Sequence, residues 1–328
     1  MFQTRRRTML RHVAAAYLAA SSFAAFAQAV YPSKPVRIIV PYPAGGTTDI
    51  IARIAANQLT ERLKQSFIVE NKAGASGAIG SQAVAQAAPD GYTLVMATAS
   101  SHGINSALQK SLPYDAVKDF APITVVANTP NIIIANPAVP VKNLQELIAL
   151  AKKEPGRINF GSTSAGGSPH MSAELLKMMA GIDMTHVPYK GAAPMLTDLI
   201  GGQVQIGFDN LPSSIGFVKS GKVRALAVTT ARRWPGAPDI PTVAESGVPG
   251  YEVSGWFGLL APAGTPREIL NKLQGTIAEA VKSPEVAKQL NDLGAEPVAN
   301  KPEVFAQEIK DDVEKWRKVV KTTGVKLD

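Results

Sequence analysis

Val36-Arg37-Ile38-Ile39-Val40-Pro41-Tyr42-Pro43-Ala44-Gly45-Gly46-Thr47-Thr48-Asp49 decides the fold. A short β-branched run ends in a proline- and glycine-rich turn. A helical stripe of Ile51, Ile54, Ala55, Leu59 and Leu63 follows. Phe67–Val69 then reads as strand, Gln82–Ala88 as helix and Thr93–Ala97 as strand, a βαβαβ order that predicts a parallel sheet covered by helices. Further along, Ala165-Gly166-Gly167-Ser168-Pro169-His170 also follows an apolar run and opens a helical pattern. The echo predicts two equivalent βα turns. In each, Thr47 or Ser168 is placed to cap the helix, with Pro169 at its first position.

Such a turn has a specific chemistry. Glycine permits positive φ and close approach to the backbone, and the first turn of a helix presents unpaired N–H groups at the positive end of its dipole. Together these make an anion site, which in an open α/β sheet lies at the carboxyl ends of the strands. Two of them facing across a cleft would grip a small dianion from both sides. Asp49 and His170 hold the same place in the two loops; each could serve the ligand, an ordered water or only the helix start.

Between the loops, apolar runs in Ile123–Ala135 flank Asn128-Thr129-Pro130-Asn131, a crossing into a second lobe. Asn143-Leu144-Gln145-Glu146 predicts a capped helix start. Ile158–Phe160, a helix from Ser168, Met184–Pro188, Val204–Phe208 and Val223–Val228 repeat the βαβ rhythm, and Val253–Ala261 is the expected return crossing. Thr265-Pro266-Arg267-Glu268 predicts another helix, with Thr265 as its cap. Pro302–Lys321 predicts a surface helix with Val304, Ile309, Val313, Trp316 and Val320 inward. The expected lobes are residues 30–127 with 253–328, and residues 128–252.

The first residues carry a different message. MFQTRRRTMLRH precedes an alanine-rich apolar run, Val13 to Ala27, and two A-x-A sites, Ala25-Phe26-Ala27 and Ala27-Gln28-Ala29. This is the pattern of a cleaved secretory signal, residues 1–27, on either the Sec or the twin-arginine route. Its removal takes Arg5, Arg6, Arg7 and Arg11 and no acid, so the formal charge of +8 falls to +4. The rest should be exported to the periplasm and soluble.

Other chemistries fit less well. With no cysteine, thiolate catalysis, disulfides and Cys-based zinc sites are excluded. The four histidines show no metal spacing, no G-x-S-x-G elbow occurs, and scattered basic residues without interleaved aromatics argue against nucleic acid. No metal or cofactor is expected.

Several segments together resemble the Bug receptors, the extracytoplasmic solute-binding proteins of tripartite tricarboxylate transporters. They are Tyr31–Arg37, Pro41–Gly46 with Asp49, Glu70–Gly77, Gly161-Ser162 through His170, His186–Gly191, Asp198–Val204 and Leu260–Pro266. The resemblance runs over the whole chain after the signal. It implies a type II-like, two-lobe periplasmic binding fold that closes on a small carboxylate, without catalysis. It implies ligand contacts from Tyr42, Ala44, Gly45, Gly46 and Asp49 in one lobe and Ser162, Gly166, Gly167, Ser168 and His170 in the other. Tyr189, Lys190 and Asp209 are further candidates at strand ends, Lys190 as counter-charge to a second carboxylate. Tyr42 stands where the family often has Phe, adding a hydroxyl with reach toward a ligand; Lys72 replaces a frequent Arg. The expected protein is a monomeric receptor for a dicarboxylate, an aromatic one such as terephthalate included, which hands it to inner-membrane transporter subunits. Two alternatives stay open: a periplasmic hydrolase using Ser168 and His170, and a receptor feeding a sensor kinase.

Overall fold

The computed structural model describes residues 31–109 and 111–323; the expected signal peptide lies outside them. Val36–Val40 forms β1, buried at every position except Arg37. A strand apolar on both faces belongs in the middle of a sheet, and β1 lies between β2 (Phe67–Asn71) and β3 (Thr93–Thr98), parallel to both. Helix α1 (Thr47–Leu63) follows β1, and its predicted stripe is inward, with Ile51, Ile54, Ala55 and Leu59 buried. Helix α2 spans Ala78–Ala85, a few residues earlier than the Gln82–Ala88 expected, because the Ala75–Gly77 turn leads straight into it.

The two apolar runs around Asn128–Asn131 are one continuous strand, β4 (Phe120–Ala135). Up to Pro130 it pairs antiparallel with β9 (Ser254–Pro262). From Asn131 onward it pairs with β7 (Ile206–Asn210) and β8 (Arg224–Val228). Its polar middle residues mark where the strand changes partners.

Beyond β4 the first pattern recurs. Strand β5 (Asn159–Ser162) lies between β6 (Thr185–Pro188) and β7, parallel to both. Along the curled sheet the order is β2-β1-β3-β9-β4-β7-β5-β6. In each half a central strand, β1 or β5, runs into a Gly-Gly turn and a helix. The second of these helices is α5 (Ser168–Ala180). Short α3 (Asn105–Leu108) and α4 (Leu144–Lys153) precede it in the chain. Asn143 caps α4 as its sequence predicts, accepting the Glu146 N–H at 2.9 Å.

Helices α6 (Ala192–Ile200) and α7 (Leu211–Lys219) cover the second half. Helix α8 (Arg267–Lys282) begins one residue later than Thr265 would cap it, since Pro266 is the capping residue and the Thr265 hydroxyl turns back to the Pro262 carbonyl. Helix α9 is Pro284–Asp292 and α10 is Pro302–Thr323. In α10 Val304 is 55% exposed, against expectation, and its neighbour Phe305 takes the inward place with Ile309, Val313 and Trp316. Phe305 and Ile309 join the core of the first half and Trp316 that of the second, so α10 spans both halves as β4 does.

Candidate functional site

The two glycine turns have one backbone shape. Gly45 and Gly166 sit at φ of +81° and +70°, where only glycine is unstrained. The next residues match too: Gly46 at φ −84°, ψ 169° and Gly167 at φ −77°, ψ 168°. These second glycines are the N-cap residues, with no side-chain cap. Thr47 and Ser168 are therefore not caps but the first helical residues, and Pro169 is the second. An uncapped start leaves backbone N–H groups for another acceptor.

What fixes each turn is the third helical residue reaching back. Asp49 Oδ2 accepts the Gly45 N–H at 3.0 Å, and His170 Nδ1 accepts the Gly166 N–H at 2.9 Å. Asp49 also accepts from Arg53 Nε and Asn71 Nδ2, both at 3.0 Å. Burial pushes its pKa up, but these hydrogen bonds and the Arg53 charge outweigh that and hold it below the usual value. His170 stacks on His186 at 3.8 Å between centroids, and its other nitrogen is 3.6 Å from Glu174 Oε1. Both side chains are almost wholly buried, and neither lines the cleft. They brace the glycine turns.

The cleft has two chambers. The inner one, about 40 Å³, is lined by Gly46, Thr47, Ser100, Ser168, Asp209, Trp256 and neighbours. The outer one, about 580 Å³ and largely apolar, is lined by residues including Pro41, Ala75, Gly77, Ala165, Pro188, Tyr189 and Lys190. Tyr42, Pro43, Thr163 and Ser164 border both. The inner space suits a group the size of a carboxylate, since a cavity needs ≳ 10–15 Å³ per water. The outer has the volume of an ordinary ligand pocket, roughly 300–1,000 Å³.

Of the predicted residues, Tyr42, Gly46, Ser168 and Asp209 border the inner chamber, and Tyr189 and Lys190 the outer. Ala44 and Gly45 are exposed beside the turn. Ser162, Gly166 and Gly167 are buried behind the lining. The Tyr42 hydroxyl does not reach toward a ligand as its sequence suggests. It lies 3.2 Å from Thr98 Oγ1 and donates to the Ser76 carbonyl at 3.3 Å, leaving the ring to wall both chambers. The Tyr189 hydroxyl donates to Asp198 at 2.8 Å; burial, then the Asp198 carboxylate, pushes its pKa up to about 12. Lys190 is exposed and has no ion-pair partner among the described residues. Asp209 is 1% exposed; Oδ2 accepts from Ser213 and Ser214 at 2.7 and 2.6 Å and Oδ1 from the Asn210 N–H at 2.8 Å. Burial raises its pKa to about 6 against these bonds.

Sequence reading missed Ser100, Asn131 and Ser213. Asn131 Nδ2 donates to Ser168 Oγ and Ser172 Oγ at 2.8 and 2.6 Å, and Asn210 Nδ2 donates to Asn131 Oδ1 at 2.6 Å. The one signal was a polar patch inside the apolar β4. Ser100 and Ser213 have no signal, because their partners across the cleft, Ser168 and Thr47, lie 68 and 166 residues away.

The hydrolase alternative fails on this geometry. Ser168 Oγ faces Asn131, and His170 Nδ1 is taken by the Gly166 N–H, so no base meets that hydroxyl. The serine–histidine contact that does exist, Ser162 Oγ to His186 Nε2 at 2.7 Å, is fully buried on the serine side. Burial, then His170, pushes the His186 pKa down to about 3, far from a working base near neutral pH.

Residues 51–325 match the family model described as tripartite tricarboxylate transporter family receptor, TctC. The chain belongs to that family. This receptor is 37% identical over 322 residues to BugT of Bordetella pertussis, 98% of this chain and 99% of that one. Among solved structures it resembles R. palustris Rpa4515, determined with adipate, at 40% identity and TM-score 0.89, over 90% of this chain and 99% of that one. It also resembles MatC from Rhodopseudomonas palustris, determined with malate, at 34% identity and TM-score 0.83, over 88% and 100%. Its fold is the two-lobe periplasmic binding fold, and as a member of that family it is a solute receptor, not an enzyme. No helix among the described residues is long and apolar enough to cross a membrane.

Proposed function

We propose that this receptor is exported by its N-terminal signal, works as a monomer in the periplasm, captures a small dicarboxylate between its lobes and passes it to the membrane subunits of a tripartite transporter. The lobes are residues 30–127 with 253–328, and residues 128–252. The observation that carries this reading is the pair of uncapped Gly-Gly helix starts with matching dihedrals, one in each half, at the carboxyl ends of β1 and β5. One carboxylate enters the inner chamber, where Gly46 and Ser168 both border it. The body lies against Pro41, Pro188 and the rings of Tyr42 and Tyr189 in the outer chamber, and Lys190 meets a second carboxylate there. The adipate and malate of the two R. palustris relatives are both dicarboxylates, and the larger chamber has room for an aromatic one such as terephthalate.

Charge-assisted hydrogen bonds contribute ~1.5–3 kcal/mol each. Three or four suffice for the −8.2 kcal/mol or so of micromolar binding after ordering costs. The test is a thermal-shift screen of the chain from residue 28 onward against organic acids, with malate, adipate and terephthalate included. A ligand at one hundred times its Kd adds ~2.7 kcal/mol of stability. A broad panel in which no dicarboxylate raises Tm removes the assignment.

A further inference from the structure

The echo between the halves extends beyond the glycine turns. In each half the central strand, β1 or β5, has a parallel neighbour on its inner side, β3 or β7. A serine follows each of these neighbours closely: Ser100 after β3, which ends at Thr98, and Ser213 after β7, which ends at Asn210. Each serine crosses the cleft to the first residue of the other half's uncapped helix. Ser168, which opens α5, donates its backbone N–H to Ser100 Oγ at 2.9 Å. Thr47, which opens α1, donates its hydroxyl to Ser213 Oγ at 3.1 Å. All four residues are at least nine-tenths buried. The chemistry differs in one respect: Ser100 occupies a backbone donor of the helix start, whereas Ser213 meets a side chain.

A hydroxyl accepting an N–H of the first helical turn does what a capping side chain does. The α5 N-cap residue, Gly167, has no side chain to do it, so Ser100 supplies it from the opposite half. Asp209 aims the partner serine, accepting from Ser213 Oγ at 2.7 Å. We propose that Ser100 and Ser213 are a reciprocal latch that holds the two lobes closed on their own. The same Ser168 N–H that Ser100 holds is one a ligand carboxylate would take, so ligand binding and latching draw on one donor. Ser100 and Ser213 are positioning residues for closure, and this role rests on the proposed two-lobe receptor in which the halves move.

The first part of the test needs no ligand, and the second adds malate or adipate. Because the chain has no cysteine, Glu61→Cys and Lys152→Cys, both at exposed positions in opposite halves, allow spin labelling and distance measurement by pulsed electron paramagnetic resonance. The latch predicts a closed population in the otherwise unaltered protein. Ser100→Ala and Ser213→Ala each lower the closed-to-open ratio about three- to tenfold, the worth of one hydrogen bond. Their combination lowers it further, and Ser100→Thr, which keeps the acceptor, retains closure. Unchanged far-UV circular dichroism shows that the variants fold. A reference protein found only open, or identical distance distributions in all variants, overturns the latch. A dicarboxylate that binds while the distances stay identical overturns the latch and leaves the receptor reading standing. Shifted distances in a protein that binds no carboxylate support the latch and remove the ligand assignment instead.

Discussion

The first and second glycine turns share a backbone and differ in what braces it. Under the first lies a carboxylate, Asp49, fixed by Arg53 and Asn71. Under the second lies an imidazole, His170, stacked on His186. Asp49 brings a negative charge to the positive end of α1, which stabilises that helix but offsets part of the field a ligand carboxylate would meet. His170 accepts through Nδ1 and adds no negative charge of its own, with the Glu174 carboxylate 3.6 Å from its other nitrogen. One loop shape thus rests on a carboxylate brace in one half and an imidazole brace in the other. Ser168 of the second borders the inner chamber and bonds Ser100.

The comparison breaks most visibly at Gly46. A Cβ there would lie 3.8 Å from the Pro43 carbonyl and 4.0 Å from Ala192 Cβ across the cleft. Its φ is ordinary, so a larger side chain is tolerated by the backbone yet fills the space between the lobes. Gly46→Leu should lower dicarboxylate affinity more than about 100-fold in calorimetry, a loss of roughly 2.7 kcal/mol or more, with Tm nearly unchanged; unaltered affinity would remove the first turn from the site.

Exchanging the brace gives the next largest effect. His170→Asp places a carboxylate under the second turn and should weaken binding about tenfold, near the upper range of a helix-terminus charge effect. His170→Asn keeps a neutral acceptor for the Gly166 N–H and should stay within about threefold. Equal loss in both would mean that shape, not charge, is what His170 provides.

Stability separates the braces in the other direction. Asp49→Ala removes the buried acceptor shared by Gly45, Arg53 and Asn71 and should cost about 1–3 kcal/mol in urea unfolding. His170→Ala removes one brace and should cost about 1 kcal/mol. The reverse order would contradict the assignment of Asp49 as the more heavily bonded anchor.

Acid dependence separates the two halves least, since each holds a histidine lowered by burial. Burial holds His186 near pKa 3, below its ordinary 6.5, so the unfolded chain binds the proton first. The stability of its neutral form is present above pH 6.5 and is lost as pH falls from there toward 3. His102 in the first half behaves alike, lowered to about 3 by burial. Asp49, held below its ordinary 3.8, contributes stability above pH 3.8 that is lost only as pH falls further. Histidine NMR at pH 5 should show both imidazoles neutral; a midpoint near 6.5 for His186 would place it at the surface and undo the stacked brace.

Local chemistry made much of this readable from sequence. Short β-branched runs, the Asn143 cap and above all the repeated Ala-Gly-Gly follow from propensities that act within a few residues. The glycine echo led to the paired turns before any packing was known. Where prediction slipped by a residue, as at Thr47, Ser168 and Thr265, a hydroxyl and a glycine or proline compete for the cap, and tertiary contacts decide. Val304 and Phe305 differ by one step around a helix, which an apolar stripe alone does not resolve. Helices α6, α7 and α9 went unread because Pro194, Pro212 and Pro284 break the pattern although each sits within the first turns. The inner chamber's wiring was out of reach for a deeper reason. Ser100, Asn131 and Ser213 act through partners brought near only by the sheet.

The central claim is that both glycine turns hold one ligand together. Amide NMR of ¹⁵N-labelled protein during titration with a dicarboxylate tests it most directly. The Gly46, Gly167 and Ser168 amides should shift in step, along curves described by one Kd. Shifts confined to one turn, or two different Kd values for the two, would contradict it.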